Sequence, residues 1–427
     1  MNIAFPGQGR GMAMTIDIDA LMDAGVREGV FPGGVLLVSR GDQIIFHSAH
    51  GQQNIFTHDP VTLDTCFDLA SLTKPLATAL VVALLVDRGA LSLDQPLGSL
   101  VDCGDHGDKK CITIDHLLRH TSGFPAHQPF YSLLARMPRK NRRQALRRLI
   151  MAEPLINAPG ARQIYSDLGY MVLAWVVEST TRMRLDQLVA DSFFTPLGLD
   201  LFFRPLEECD VSPGQLKRFA ATEQCPWRHR ILTGEVHDDN AWAAGGVEGH
   251  AGLFGTAHAV GKLLFHMLTA LQDTSISRLQ PPQPTTQPLQ STTHNPAPST
   301  QYPQTSTQPP APSTHNPTPI NPISGRVLRQ FAKKESGRER VAGFDTPSPM
   351  DSSAGNGFSP GALGHLGYTG TSFWMEPDLS IIVVLLTNRV HPSRDNIKIR
   401  QFRPRLHDVI MEKIKSYPTV PSQHPLS

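Results

Sequence analysis

Short apolar runs near both ends of the chain predict β-strands. Residues 34–49 are typical of a hairpin, because β-rich runs at 35–38 and 44–46 flank a polar turn at 40–42. Near the other end, the wholly apolar run 381–386 predicts a buried strand, and residues 372–375 predict another strand just before it. The pattern therefore predicts one sheet to which both ends of the chain contribute.

The middle of the chain has helical periodicity. The strongest candidate is 71–88, which is followed by Gly89, a residue type that often ends helices. Further helices are predicted at 114–119, 141–152, 166–180, 184–193 and 257–271. We therefore expect an α/β fold, more closely α+β: an antiparallel sheet from N- and C-terminal strands, flanked by helices, with an inserted, mostly helical lobe.

Composition changes sharply over residues 279–323, which are rich in Pro, Gln, Thr and Ser. So few apolar residues cannot offset the entropy cost of ordering, and we therefore predict a disordered insertion. A Pro-rich segment that docks on a partner protein is the alternative. We expect a flexible extension at 1–15 and one domain at 16–415. Within that domain, 16–100 plus 325–415 form the α/β lobe, and 101–275 form the helical lobe.

Charge and cysteine content exclude several classes of protein. The 427 residues carry 39 Lys and Arg against 38 Asp and Glu, a net charge of +1 that favours neither nucleic acid nor a membrane surface as partner. A basic cluster at 139–148 is typical of a solvated helix face. Five cysteines without a C-x-x-C pair, and no H-E-x-x-H, argue against a disulfide framework and against a metal site. We expect no cofactor.

The N-terminus lacks a basic segment followed by a long apolar one, so no secretory signal is predicted. The longest mostly apolar run, 76–86, is shorter than the ~20 residues that cross a bilayer, so no membrane span is predicted. Localisation stays open: cytoplasmic by default, periplasmic if the true start or the export route differs. Met14 is an alternative start to Met1.

The first candidate for chemistry is Ser71-Leu72-Thr73-Lys74. Residues at i and i+3 share a helix face, so a hydroxyl and an amine would lie side by side. A serine needs a base before it becomes a nucleophile, and a lysine serves only if its pKa falls. We expect burial and the helix N-terminus to lower the pKa of Lys74. By itself, the motif also fits a serine that caps a helix.

Two more motifs add possible partners. Tyr165-Ser166-Asp167 opens a helix, where Tyr165 could relay a proton and Asp167 could hold Lys74. Residues 364–371 form a Gly-rich turn before a strand, where His365 could bind a carboxylate or assist proton transfer. Each also has an ordinary structural interpretation: Tyr165 as a core aromatic residue, Asp167 as an acidic residue in the first turn of a helix, and 364–371 as a turn that leads into a strand.

The order and spacing of the three motifs resemble the serine β-lactamase and penicillin-binding protein superfamily, whose motifs are S-x-x-K, a Tyr or Ser motif, and K-T-G. The class C β-lactamase-like branch, with its esterases and D-alanyl-D-alanine carboxypeptidases, is most similar. Further similar stretches are 120–123, 245–253 and 387–392. No G-x-S-x-G is present, which argues against an α/β-hydrolase with a Ser-His-Asp triad.

The resemblance implies a role for each matching residue. Ser71 is then the acylated nucleophile, and Lys74 and Tyr165 share its proton and later activate water. Asp167, where the family often has Asn, contacts Lys74 and the substrate. His365-Leu366-Gly367 takes the place of K-T-G, and the backbone N–H groups of Ser71 and Tyr368 form the oxyanion hole.

The departures from the family pattern concern substrate choice. His365 replaces a charged lysine, Leu366 replaces a hydroxyl residue, and Asp167 adds negative charge, all of which weaken recognition of a carboxylate. We therefore expect an esterase or a D-alanyl-D-alanine carboxypeptidase with weak or no β-lactamase activity. A non-catalytic binding or sensing module with the same fold, and a true β-lactamase, are the alternatives.

Overall fold

The computed structural model describes residues 10–208, 213–273 and 323–416. Its α-helices are α1 Arg10–Arg27, α2 Leu80–Asp87, α3 Ile114–Leu118, α4 Tyr131–Leu134, α5 Arg139–Ala152, α6 Asp167–Thr181, α7 Leu185–Val189, α8 Pro213–Leu216, α9 Asp239–Ala243, α10 Ala257–Gln272, α11 Gly325–Ala332 and α12 Ile399–Ser416. Its strands are β1 Gly33–Arg40, β2 Gln43–Asn54, β3 Asp59–Pro60, β4 Phe67–Asp68, β5 Leu201–Phe203, β6 Ala221–Cys225, β7 Arg230–Thr233, β8 Leu253–Gly255, β9 Arg340–Val341, β10 Phe344–Asp345, β11 Leu363–Leu366, β12 Ser372–Glu376 and β13 Ile381–Thr387.

An antiparallel sheet joins the two ends of the chain. Its strand order is β3-β2-β1-β13-β12-β11-β10-β9, and β1 pairs with β13 from Gly34 opposite Thr387 to Arg40 opposite Ile381. Every residue of β13 is buried, because helices cover both faces of the sheet. The predicted fold class, one antiparallel sheet flanked by helices with a helical part inserted between its strands, is confirmed.

Alternating side chains of the central strands pack into two separate cores. Leu37 and Val384 join the larger core, which includes α2, α6 and α10. Leu36 and Val383 join a second core on the opposite face, which α1 and α12 cover. The sheet therefore separates the helical part of the molecule from a layer formed by the first and last helices.

Most predicted elements are present at the expected positions. The hairpin is β1–β2, the two C-terminal strands are β12 and β13, and helices α3, α5, α6 and α10 fall close to the predicted ranges. The stretch predicted as one helix at 71–88 begins with the 3₁₀ turn Ala70–Leu72, continues as the π-helix Lys74–Ala79 and becomes α-helical only at Leu80.

Helices α1 and α12 were not predicted. Helix α1 begins at Arg10, inside the segment expected to be a flexible extension, while residues 1–9 lie outside the described residues. Its later turns bury Ile18 and Met22 in the second core. Once such a helix is anchored, each further turn costs little to add, which accounts for the early start.

The predicted insertion lies largely outside the described residues. The described chain stops at Asp273 and resumes at Ile323, whose side chain is buried, and α11 begins at Gly325. The described chain therefore resumes at the last residue of the predicted insertion, 279–323.

Among the described residues, one helical stretch, Ala70–Asp87, is long and apolar enough to cross a membrane, but 83% of it is buried inside the fold. Burial of that extent is expected of a core helix. The described cysteines Cys66, Cys103, Cys111 and Cys225 are free thiols.

Candidate active site

Ser71 lies on a tight turn that follows strand β4. The residue before it, Ala70, has φ +47°, a left-handed conformation that is unfavourable for a residue with a side chain. The buried carboxylate of Asp68 holds the turn, accepting hydrogen bonds from the backbone N–H of Ala70 at 2.8 Å and of His237 at 2.6 Å. Thr73 Oγ1 donates to the carbonyl of Ala70 at 2.6 Å. The surroundings therefore fix the position of the serine.

Lys74 is fully buried beside Ser71. Its Nζ lies 3.1 Å from Ser71 Oγ, 2.7 Å from Asp167 Oδ1 and 3.3 Å from the carbonyl oxygen of His250. Three acceptors match the three N–H bonds of an ammonium group. The expected pairing of hydroxyl, amine and carboxylate is thus present in the structure.

Tyr165 completes the group. Lys74 Nζ lies 4.7 Å from the centre of the Tyr165 ring, so the phenol is next to the buried ammonium. The His120 ring packs against Tyr165 with 4.5 Å between ring centres, and its Nδ1 accepts the backbone N–H of Ser166 at 3.0 Å. The tyrosine is therefore held in place by packing.

The expectation that Lys74 has a lowered pKa is wrong. Burial does lower it, but the negative charge of Asp167 and the contacts with Tyr165 outweigh burial, so the pKa of Lys74 is raised. Burial likewise raises the pKa of Tyr165, although Lys74 opposes this. Burial raises the pKa of Asp167, yet Lys74 and His127 bring it well below its ordinary value. At neutral pH the site therefore holds an ammonium, a carboxylate and a neutral phenol.

His365 lies on β11 and is almost fully buried. Its Nδ1 lies 3.0 Å from the carbonyl oxygen of Leu366, and burial lowers its pKa to about 4. The imidazole is therefore neutral, with the proton on Nδ1 donated to that carbonyl. A neutral ring supplies no positive charge for a carboxylate, and the role of His365 in substrate binding stays a prediction.

The turn between β11 and β12 packs against the segment that leads to Ser71. Thr369 Oγ1 donates to the carbonyl of Asp68 at 2.7 Å, and Thr371 Oγ1 to that of Leu69 at 3.1 Å. At Gly367, an added Cβ would lie 2.7 Å from the Leu69 carbonyl oxygen, so only glycine fits.

Tyr368 lies on the same turn, and its side chain is 51% exposed. Its ring stacks on that of His237 with 5.8 Å between ring centres, and the Arg389 guanidinium lies 4.8 Å from the ring centre. These contacts hold Tyr368 at the rim of the site while its backbone stays next to the segment that leads to Ser71.

Two histidines add to the site beyond the sequence motifs. The His250 ring bonds the Asp238 carboxylate at 2.9 Å, while its backbone carbonyl accepts from Lys74. His127, which sequence reasoning missed, lies with Nδ1 3.7 Å from Asp167 Oδ2. No motif marks His127, because only the fold brings it to the start of α6.

In the described part of the chain, no group of three or more His, Cys, Asp or Glu residues could hold a metal ion. The site itself offers a serine, a lysine and a tyrosine for chemistry. A serine hydroxyl 3.1 Å from a buried lysine amine, with a tyrosine ring beside that amine, is an arrangement suited to acyl transfer through a covalent intermediate.

The fold and the site define a serine hydrolase. A family model described as Beta-lactamase matches residues 18–404, so the chain belongs to the beta-lactamase family.

Relatives and solved structures agree with this assignment. The chain is 28% identical to a "Putative D-alanyl-D-alanine carboxypeptidase" of Salmonella agona, over 86% of this chain and 81% of that protein. It is 34% identical to one of the same name from Escherichia coli K12, over 56% of this chain and 60% of that protein.

Two solved structures show the same fold. EstCE1, described as a hydrolase with promiscuous acyltransferase activity, matches with a TM-score of 0.63 and 18% sequence identity. The match covers 92% of this chain and 99% of the EstCE1 chain. An octameric penicillin-binding protein homologue from Pyrococcus abyssi matches with a TM-score of 0.60 and 18% sequence identity. The match covers 87% of this chain and 73% of the homologue's chain.

Proposed function

We propose that the protein hydrolyses esters through an acyl-enzyme on Ser71. The observation that carries this proposal is the contact of Ser71 Oγ with Lys74 Nζ at 3.1 Å, with the Tyr165 ring centre 4.7 Å from the same Nζ. The serine hydroxyl and the lysine amine are then within proton-transfer distance without any rearrangement of the fold.

The resting protonation state sets the first step. With Lys74 as ammonium and Tyr165 as phenol, neither group can accept the serine proton, so the coupled pair must first lose one proton to solvent. The resulting base takes the proton of Ser71 as Oγ attacks the carbonyl carbon, and then delivers it to the leaving oxygen. In the second half, the same base activates water, which releases the acyl group and restores Ser71.

The backbone N–H groups of Ser71 and Tyr368 are the proposed donors to the oxyanion. The contacts of the β11–β12 turn with Asp68 and Leu69 support this role, because they fix the turn against the nucleophile segment. Such donors stabilise the negative charge that develops on the carbonyl oxygen during attack.

Charges around the cleft favour neutral substrates. His365 is neutral, Leu366 has no donor side chain, and Asp167 is negative. Two nearby cations are already engaged: Arg340 pairs with Asp345 at 2.7 Å, and Arg389 donates to backbone carbonyls. A substrate carboxylate would find little compensation here, which argues for neutral esters over β-lactams.

D-Alanyl-D-alanine carboxypeptidase activity is the second candidate. It is supported by the names of relatives that match over most of their length, 81% for the Salmonella agona protein. A peptide substrate would use the same nucleophile and oxyanion donors. The two activities therefore differ only in whether the cleft accommodates the terminal carboxylate of the peptide.

Covalent labelling tests the nucleophile. The protein is incubated with a fluorophosphonate or a labelled penicillin and its mass measured, and turnover is compared for p-nitrophenyl esters, a D-Ala-D-Ala peptide and nitrocefin. We expect an adduct and ester turnover in the wild type, and both lost in Ser71→Ala, with kcat lower by about 10⁶-fold.

Ser132→Ala, which removes an exposed serine on α4, is the matched control and should retain labelling and turnover. An unchanged mass with every probe would overturn the proposal and favour the non-catalytic binding module.

A further inference from the structure

Arg403, on α12, is a buried cation with an unusual set of partners. Its side chain reaches the β11–β12 turn, where Nη2 donates to the carbonyl oxygen of Thr371 at 2.8 Å and to that of Gly367 at 3.4 Å. Among the described residues, no carboxylate forms an ion pair with Arg403, although only 5% of the residue is exposed. A buried charge without a counter-ion is costly, so its position calls for an explanation.

A second buried arginine converges on the same turn. Arg389 donates through Nη2 to the carbonyl of Tyr368, and its guanidinium packs on the Tyr368 ring. Nη1 of Arg389 donates to the carbonyls of Arg394 at 2.9 Å and Asn396 at 2.6 Å. Two cations thus hold the carbonyl groups of Gly367, Tyr368 and Thr371.

One of these carbonyls belongs to the peptide group that matters for catalysis. The C=O of Gly367 and the N–H of Tyr368 are two ends of one amide, and that N–H is a proposed oxyanion donor. The Gly367 oxygen accepts from Arg403 and also from the backbone N–H of Gly370 at 3.1 Å. A donor at the oxygen withdraws electron density from the amide and makes its N–H a stronger donor.

We infer that Arg403 is a positioning residue of the oxyanion hole: through the Gly367 and Thr371 carbonyls it fixes the Gly367–Tyr368 peptide and strengthens the Tyr368 N–H as a donor. The inference rests on the proposed function. It assigns a catalytic effect to a side chain that comes from a helix on the opposite face of the sheet and touches no substrate.

The charge of Arg403 persists under working conditions. Burial, with a smaller contribution from the nearby positive charge of Arg389, lowers the pKa of Arg403 to about 9. The guanidinium is therefore protonated at neutral pH, where it can act on the amide.

The test uses an aryl trifluoromethyl ketone, which forms a hemiketal with a serine nucleophile and places an ionisable oxygen in the oxyanion hole. The pH midpoint of hemiketal ionisation, followed by ¹⁹F NMR, reports the strength of the hole directly. In Arg403→Gln, which keeps a donor but loses the charge, we expect that midpoint to rise by about one pH unit, a tenfold weaker stabilisation.

Steady-state kinetics supply the second readout. We expect kcat for a p-nitrophenyl ester to fall about tenfold in Arg403→Gln with KM unchanged, less than the ~10²–10³-fold cost of deleting an oxyanion donor. Arg403→Lys keeps the charge but cannot reach both carbonyls, so its midpoint should rise by less. Arg405→Gln, an exposed arginine on the same helix, is the matched control and should behave as wild type.

The outcomes separate this inference from the proposed function. If the wild type forms no hemiketal, or Ser71→Ala gives the same ¹⁹F signal, the proposed function fails. If the wild type forms the adduct, and the ionisation midpoint and kcat of folded Arg403→Gln equal those of the wild type, only the inference is overturned. Should Arg403→Gln fail to fold, Arg403→Lys decides: an unchanged midpoint overturns the inference.

Discussion

At the scale of single residues, the ion pair between Lys74 and Asp167 governs the proposed chemistry. Lys74 is fully buried, and Asp167 begins α6, where the helix N-terminus stabilises a carboxylate. The carboxylate therefore stays ionised and keeps the neighbouring ammonium charged. A protein with an amide in place of Asp167 would hold Lys74 closer to its neutral form, so this one carboxylate determines at which pH the base becomes available.

The pH dependence of the reaction follows from this pair. The pKa values of Lys74 and Tyr165 are both raised, so kcat/KM for a neutral ester should increase with pH into the alkaline range. In Asp167→Asn, loss of the negative charge makes the Lys74 ammonium easier to deprotonate. The rising limb should therefore move to lower pH by about one unit or more, measured in a pH–rate profile.

Asp115→Asn serves as the control, because Asp115 lies in the first turn of α3 and pairs with Arg119 at 2.8 Å. Its profile should match the wild type. A rising limb that stays in place in Asp167→Asn would show that the Lys74–Tyr165 pair is not the titrating base.

The sequence could identify the members of the site but not their charge states. Ser71 and Lys74 are one helical turn apart, so their contact follows from local geometry. The raised pKa of Lys74 depends on Asp167, 93 residues away, and on complete burial, neither of which the motif encodes. His127 and Arg403 were missed for the same reason, since only tertiary packing gives them their neighbours.

At the scale of secondary structure, the contact between the β11–β12 turn and the segment that leads to the 3₁₀ turn at Ala70–Leu72 sets the geometry of the proposed oxyanion hole. Gly367 makes that contact possible: a Cβ there would clash with Thr371 Oγ1 and lie 2.7 Å from the Leu69 carbonyl oxygen. Because backbone cannot yield easily, a larger residue would push the turn away from Ser71.

Gly367→Ala should therefore weaken both folding and catalysis. Overpacking of this kind costs about 1–3 kcal/mol of unfolding free energy, measured by urea denaturation. Displacement of the Tyr368 N–H should lower kcat about 10²-fold, measured with a p-nitrophenyl ester. Gly361→Ala is the control, since its added Cβ would come no closer than 3.5 Å to Ser359 Oγ. Wild-type kcat in Gly367→Ala would contradict a role for this contact.

Elements with a strong apolar period were predictable, and those that depend on the rest of the fold were not. Strand β13 and helices α6 and α10 follow from their own sequences. Helix α12 contains Pro404, a residue that usually interrupts helices, and its apolar face becomes evident only against the second core. The 3₁₀ and π-helical start of the Ser71 segment likewise reflects packing rather than local propensity.

At the scale of the whole molecule, the unpredicted feature is how closely the flanks of residues 274–322 approach each other. Arg329 Nη1 donates to the carbonyls of Leu271 at 2.9 Å and Asp273 at 2.8 Å, and Ser324 binds the Asp87 carboxylate at the end of α2. Ser71 is at the other end of that helical stretch, about 24 Å away at roughly 1.5 Å per residue. The described residues on either side of 274–322 therefore lie close together, remote from Ser71.

Removal of residues 279–322 should accordingly leave the enzyme intact. The remaining linker is long enough to join flanks that already touch, and a shorter loop costs less entropy to close. We expect kcat within about twofold of wild type and no loss of thermal stability. A chain of full length with 279–322 scrambled is the control. Lost turnover in a folded deletion variant, retained in the scrambled one, would show that the segment's bulk supports the site.

The pairing of β1 with β13 has a consequence for biosynthesis. The centre of the sheet joins Gly34 to Thr387, so β1 emerges from the ribosome long before its neighbour. Until translation reaches Ile381, one edge of that apolar strand has no native partner, and such edges readily recruit other chains. A message truncated upstream of β13 would yield a polypeptide prone to aggregation, and the centre of the sheet is complete only once β13 has been synthesised.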